Sequence, residues 1–466
     1  MSTKKKFSIP HIYVILFLFI ALAAVSTYLI PAGSYERVPG PDERTTIDPN
    51  SYVEVEQTPV SLIQFMTAIP KGLVDAGEVV FFTFIIGGLF AVLKRTGLIE
   101  IGVDRLTRKF SASSIVLIPV LMVMFAIICS LIGTQELSLV YVPVILPLMI
   151  ALGYDSVVAA AVALVATTAG FTTGFLNPVT TGLGQKISGL PLFSGIEIRI
   201  IAFIVFVLAG VIYIIRYARK VKNDPKTSLV YEEDTEKRAV YLNDTEVEKR
   251  IATKRQKIAS FVLLGCFILL VYGVLKQNWF MTEMAGLFII MGIVVGMIAG
   301  LKLTDICEGF NEGFREVLVG AMIVGIARAV AVVMEEGQLM DTIVHSLGTV
   351  VGGFPAVFSA IGMFIVQLLF NFLVPSGSGQ ALVTMPIMAP LSDLIGVTRQ
   401  TAVLAFQFGD GIGNILYPTS GYFMATLALA GVAWQKWVRF YLPLFFIWCG
   451  IAIVFLIIAQ VIQWNG

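Results

Sequence analysis

Long apolar runs dominate this chain, and most are the length of a helix that crosses a bilayer. Roughly 20 apolar residues span a hydrocarbon core of about 30 Å. Runs at 12–30, 79–93, 196–215, 258–275, 284–301, 319–334 and 440–462 therefore predict membrane spans. Segment 61–78 mixes apolar and polar residues at helical spacing and predicts an amphipathic helix at the membrane interface. Segment 302–316 predicts a second amphipathic piece.

Four other apolar stretches are interrupted. Residues 114–153 break at Gly133, Thr134, Gln135 and Glu136, and residues 354–396 break between Asn371 and Gln380. Each predicts a re-entrant hairpin of two half-length helices with a polar tip. Residues 155–190 break between Ala169 and Pro178, and residues 400–430 between Gly409 and Ser420, which predicts two broken transmembrane helices. Irregular backbone at membrane depth is tolerated only where protein or a water-filled cavity satisfies it.

Composition agrees with this pattern. The chain is 57% hydrophobic and 14% charged, whereas a soluble domain has about 25% charged residues, so an ordinary soluble globule and a disordered chain are both excluded. A net charge of +1 gives no field that would recruit nucleic acid. Two histidines and four scattered cysteines offer no zinc site or disulfide framework. No Walker A motif, HExxH motif or nucleophile–base pair is present, so the sequence reads as neither an enzyme nor an ATP-driven pump. Lys/Arg counting places 24 of 32 basic residues in segments on one side, including Lys4, Lys5, Lys6, the 94–109 loop and the polar linker 216–257. By the positive-inside rule that side is cytoplasmic. The expected location is the cell (cytoplasmic) membrane, with the N-terminus inside and the C-terminus outside.

The two halves share an order of elements. Residues 71–106 align without gaps to 312–347, so that Gly72 meets Gly313, Glu100 meets Asp341 and Leu106 meets Leu347. Pro143, Pro147 and Gly153 then match Pro386, Pro390 and Gly396. The expected organisation is a first repeat in 1–215, a cytoplasmic linker at 216–257, and a linking span plus second repeat in 258–466. The charge count makes the copies antiparallel. Inverted repeats with paired discontinuous helices mark secondary transporters, whose site lies near the midplane at the repeat interface.

Four polar breaks then converge. Candidate substrate-binding residues are Thr134, Gln135 and Glu136 at the first tip, and Thr173 and Asn177 at the first broken helix. Ser376 and Ser378 stand at the second tip, and Asp410, Asn414 and Thr419 at the second broken helix. Half-helix N-termini suit a carboxylate, and unwound carbonyls suit a cation. Gly170, Gly174, Gly377, Gly379, Gly409, Gly411 and Gly413 are expected to permit unusual backbone at the breaks. Capping of the interrupted helices is the alternative role for the hydroxyl and amide groups. Ionised carboxylates at membrane depth are costly and usually functional, which singles out Glu136 and Asp410. Arg328 is expected to form a structural ion pair, with Glu136 or Asp410 as possible partners or a substrate carboxylate as the alternative. Glu335 and Glu336 read as a solvated helix end.

The motifs GTQELSLVYVPVILPLM (133–149), GFLNPVTTG (174–182), NFLVPSGSGQALVTMPIMAPL (371–391) and FGDGIGNILYPTSGYF (408–423) resemble the YfcC family, within the DcuC-like carriers of the ion transporter superfamily. This chain has Gln135 and Glu136 where the family shows an acidic pair. The resemblance implies an elevator-type carrier, a homodimer, and coupling to Na⁺ or H⁺, with no other cofactor. Its relatives carry C4-dicarboxylates or exchange basic amino acids such as arginine and ornithine. The resulting expectation is an all-α polytopic membrane protein that moves a small carboxylate-bearing metabolite through the bilayer. A basic amino acid is favoured because the breaks hold two acids and no Lys or Arg; a dicarboxylate is the alternative.

Overall fold

The computed structural model describes residues 12–39, 45–99, 101–102, 114–241, 252–277 and 279–466. Lys4, Lys5, Lys6, Glu100, Arg105, Leu106, Arg108, Lys109 and linker residues 242–251 lie outside these. The charge count and the Glu100 and Leu106 matches rest partly on them. Nine helices among the described residues are long and apolar enough to cross a membrane.

Helix α1 (Ile12–Leu29) leads into a strap of two small antiparallel sheets. In these β1 (Gly33–Ser34) pairs with β4 (Val53–Glu54), and β2 (Arg37–Pro39) with β3 (Thr45–Ile47). Helix α2 (Leu62–Asp75) follows, capped by Ser61 and Gln64, then α3 (Gly77–Arg95). Leu62, Ile63, Met66 and Val74 are exposed along α2, as an interfacial or lipid-facing helix requires.

The first expected hairpin is α4 (Ser114–Ile132) and α5 (Leu137–Ala151). The first broken helix is α6 (Ser156–Thr173), a π turn at Pro178–Gly182, and α7 (Leu183–Ile187). Helix α8 (Ile196–Asn223) runs eight residues beyond its predicted end, and α9 (Thr235–Tyr241) lies within the linker. Helices α10 (Lys254–Gln277) and α11 (Met281–Ala299) cover the next two predicted spans. They are followed by α12 (Leu303–Glu336) and α13 (Leu339–Gly352). The second hairpin is α14 (Ala356–Leu373) and α15 (Gly377–Leu394). The second broken helix is α16 (Arg399–Gly413) and α17 (Gly421–Ala430), and α18 (Trp434–Val461) is last.

Several expectations need correcting. The amphipathic piece at 302–316 and the span at 319–334 are one helix of 34 residues. No proline interrupts it, and its glycines serve as contact points rather than breaks. The position of a Cβ on Gly313 falls 2.2 Å from the Gly87 carbonyl oxygen, so only glycine lets α12 and α3 approach this closely. The hairpin arms are not half-length. At about 1.5 Å per residue, the 19-residue α4 is about 28 Å long, enough to cross the hydrocarbon core.

Packing reveals a reciprocity between the halves. Gly72 lies against Gly325 and Ala329, and Gly313 lies against Gly87 and Gly88. Under the alignment of Gly72 with Gly313, Gly88 corresponds to Ala329. The two contacts therefore exchange, as self-complementary two-fold contacts do. Gly153 and Gly396, aligned in sequence, both have positive φ at the ends of α5 and α15. Asp155 and Thr398, two residues on in each half, N-cap α6 and α16 with their side chains.

Helix α6 is buried along its whole length, as is α16 from Gln400 onward. The two broken helices therefore form the centre of the molecule. On the linker side their ends are tied together. Asp234, fully buried, accepts from the Ser156 backbone N–H (2.7 Å) and from Lys237 Nζ (2.9 Å). Lys237 in turn donates to the Ala430 carbonyl at 2.9 Å. One acid–base pair thus meets the N-terminus of α6 and the C-terminus of α17, where the helix dipoles favour those signs.

Candidate functional site

Each break has a local cause. Gly133 (φ +79°) ends α4, and Gly174 (φ +44°) ends α6 in the left-handed region. Asn177 and Pro178 start the π turn. Pro375 and N-cap Ser376 separate α14 from α15, and Pro418 lies between α16 and α17. Only Gly174 among the seven break glycines has positive φ. Gly409, Gly411 and Gly413 are helical, and the second break falls after them, at residues 414–420. Their role is close approach: Cβ positions on Gly411 and Gly413 fall 2.2 Å from Thr172 Oγ1 and 2.5 Å from Asn371 Oδ1.

The breaks meet. A Cβ on Gly133 would strike Asn177 Oδ1 (2.2 Å), and one on Gly377 would strike Thr180 Cγ2 (2.5 Å) and Asp410 Oδ2 (2.7 Å). Tyr422 donates to Gln135 Oε1 at 2.7 Å, joining the first tip to α17. At the core Asn371 Nδ2 faces Asp410 Oδ1 (2.9 Å), Asn414 Oδ1 (3.1 Å) and Gln380 Oε1 (3.2 Å), three acceptors for two hydrogens. Asn414 Nδ2 also donates to Asp410 Oδ1 at 3.3 Å. Asp410 has no exposed surface, and its Oδ2 has no protein partner. Thr172 Oγ1, Thr181 Oγ1, Asn371 Oδ1, Thr419 Oγ1 and Ser420 Oγ are also buried without partners. Native proteins leave few buried polar atoms unpaired, so such a group on the interrupted helices marks a place for a bound water, an ion or a polar ligand.

The individual candidates divide. Asp410 and Asn414 stand in this cluster, and Thr419 is buried in the second break with its hydroxyl unpartnered. Gln135 is bonded to Tyr422, with Thr168 Oγ1 at 3.5 Å. Glu136 is half-buried at the start of α5, and among the described residues no hydrogen bond joins it to Asp410. Thr134 is half-buried at the same tip, and its carbonyl accepts from Cys129 Sγ. Thr173 is spent within its own helix, donating to the Ala169 carbonyl at 2.9 Å. Asn177 is a cap: its Oδ1 accepts from the Val179 and Thr180 backbone N–H groups, and its Nδ2 donates to Thr180 Oγ1. Ser376 is exposed and caps α15, and Ser378 is half-buried beside it. Replacing Asn177 by alanine is expected to lower stability by about 0.5–2 kcal/mol through the lost cap, read as a drop in thermal midpoint in detergent.

Several carbonyls near the breaks, a type of group suited to a cation, already accept one hydrogen bond from a side chain. Trp437 Nε1 donates to Ile415 O (2.7 Å), Trp434 Nε1 to Leu416 O (3.0 Å), Tyr441 to Ile412 O (3.1 Å) and Gln407 to Phe171 O (2.6 Å). Arg328 pairs with neither Glu136 nor Asp410. Its partners are Glu335 (3.2 Å) and Asp75 (3.7 Å), because α2 packs along α12. Glu335 and Glu336 are thus paired rather than merely solvated, Glu336 with Lys71.

Gln367, Gln407 and Tyr422 were missed. Gln367 Oε1 accepts from Gln380 Nε2 (2.8 Å) and Thr384 Oγ1 (3.1 Å), fixing the second hairpin's arms to each other. A glutamine inside an otherwise apolar helix was the available signal.

Comparison with known proteins decides the class. The profile of the family DcuC, C4-dicarboxylate anaerobic carrier, matches residues 9–461. The chain belongs to the DcuC family. It is 32% identical over 473 residues to "Putative basic amino acid antiporter YfcC" of Escherichia coli (strain K12), covering 93% of each chain. A Haemophilus influenzae relative without an assigned activity is 29% identical, with 95% of each chain covered. Among solved structures, the Alcanivorax borkumensis YdaH transporter is 15% identical with a TM-score of 0.43, covering 98% of this chain and 99% of its own. Neisseria gonorrhoeae MtrF is 15% identical with a TM-score of 0.41, covering 99% and 96%. At those scores neither likeness bears on function. This DcuC-family chain is a multi-pass membrane transporter of a small molecule, not an enzyme.

Proposed function

We propose that this transporter is a secondary carrier that exchanges a basic amino acid across the cytoplasmic membrane. The observation that carries the reading is Asp410, a carboxylate with no exposure and one oxygen left without a partner, surrounded by amides rather than by lysine or arginine. Such a site holds a cationic group or a coupling ion, Na⁺ or H⁺. The likeness to YfcC, named for basic amino acid antiport, supports the same class. The reciprocal glycine contacts support inverted repeats. On this reading the breaks move together in an elevator step within a homodimer, with the N-terminus inside and the C-terminus outside.

A dicarboxylate is the second reading. Arg37 and Arg328 line a cavity beside the second tip, which the absence of basic residues at the breaks had not suggested. The family's name, C4-dicarboxylate anaerobic carrier, favours it too. Proteoliposomes loaded with ornithine are expected to take up labelled arginine, with uptake stimulated by the internal ornithine and unaffected by succinate or fumarate. Succinate or fumarate flux without arginine flux overturns the amino-acid reading. Imposed Na⁺ and pH gradients in the same vesicles separate the coupling ions.

A further inference from the structure

A cavity of about 500 Å³ lies between the strap, the C-terminal end of α12, α13 and the second hairpin. That is within the range of small-molecule clefts, roughly 300–1,000 Å³. Its charged lining is Arg37, Arg328, Glu335 and Asp341, and Ser376 and Gly379 of the second tip form part of its wall. Gly377, between those two, lies against Asp410 Oδ2. One turn of the tip therefore separates the cavity from the buried carboxylate.

The two arginines are not equivalent. Arg37 is bound to Asp341 at 3.1 Å, and that acid is buried and also accepts from the Tyr35 backbone N–H at 3.0 Å. The pair belongs to the anchoring of the strap. Tyr35 O–H bonds His345 Nδ1 (2.9 Å), Tyr52 stacks on His345 (3.9 Å between ring centres), and Thr46 donates to the Leu382 carbonyl (3.0 Å) in the same anchoring. Burial pushes the Tyr35 phenol up to about 12, with Asp341 and Tyr52 adding to the shift, so it stays protonated.

Arg328 differs. Its side chain is 34% exposed, and its partners Glu335 and Asp75 are 50% and 42% exposed. Half-exposed pairs of this kind contribute little and exchange readily. An arginine fork also matches a carboxylate in a bidentate geometry that a single Glu335 oxygen does not use. A competing carboxylate in the cavity can therefore displace Glu335 at small cost.

We propose that Arg328 is a specificity-determining residue that binds the carboxylate of the incoming substrate in this vestibule, before the second tip opens toward Asp410. The inference rests on the amino-acid reading for the identity of the cargo, but the carboxylate contact does not depend on it. In proteoliposomes, agmatine, which is arginine without its carboxylate, is expected to inhibit arginine uptake at least about tenfold more weakly than arginine itself. In Arg328→Gln that gap closes to within about twofold, and KM for arginine rises about tenfold or more with little change in maximal rate. Arg328→Lys, which keeps the charge and loses the fork, falls between them and guards against loss of folding. An unchanged arginine-to-agmatine gap in both variants overturns the proposal, whatever their thermal stability. If the wild type carries succinate and ignores both amines, the amino-acid reading fails. A KM for succinate raised in Arg328→Gln then still supports the carboxylate contact, and an unchanged KM overturns it.

Discussion

Asp410→Asn is expected to reduce transport by about 100-fold or more while leaving the protein folded and in the membrane. The carboxylate has no exposed surface, and its Oδ1 is held by Asn371 and Asn414. Hydrogen bonds to a charged group are worth about 1.5–3 kcal/mol, and each 1.36 kcal/mol is about tenfold in rate. Removing the charge from a cation site forfeits at least one such interaction in addition to the Coulomb attraction. The amide keeps the carboxylate's shape and is far cheaper to bury than an ion. Thermal stability should therefore hold or rise as activity falls. Flux in proteoliposomes alongside thermal unfolding checks both halves. Wild-type flux in the variant removes Asp410 from the mechanism, and unfolding of the variant makes its role structural.

Asp234→Ala has the second large effect, and on stability. The buried carboxylate accepts the Ser156 backbone N–H and hydroxyl and the Lys237 ammonium, and Lys237 also reaches the Ala430 carbonyl. Breaking a buried pair by removing one partner costs about 3–5 kcal/mol, because the other charge is left uncompensated. Lys237→Met leaves Asp234, which has no exposed surface, without its counter-charge and is expected to cost a comparable amount. The double variant should be less destabilised than the sum, as expected for residues in one network. A thermal midpoint equal to wild type in Asp234→Ala would show that the linker does not tie α6 to α17.

Apolar run lengths were enough to find most of the long apolar helices and four interruptions, because burial of the backbone in lipid leaves little choice of structure, but they gave no sign of α9 or α13. What escaped was set by packing. Gly409, Gly411 and Gly413 read as a break because glycine is poor in helices, yet here they let α16 touch Thr172 and Asn371. Packing also decides α12, whose change from mixed to apolar composition suggested two pieces and whose contacts with α2 and α3 favour one. At the site, Asp410 and Asn414 stood out as polar residues in apolar surroundings. Whether Asn177 caps or binds depended on where its amide points, which no spacing specifies. Of Arg328's partners, Asp75 comes from α2, more than 200 residues earlier, and the Asp234 clamp lies in a linker whose charge suggested only solvent.

A cryo-electron microscopy map of the transporter in lipid nanodiscs with saturating arginine would test the convergence of the four breaks. The expected result is ligand density within hydrogen-bond distance of Asp410 and bounded by both hairpin tips and both broken helices. Substrate density bounded by one half of the chain alone, with Asp410 and Asn371 bonded only to protein, would contradict it.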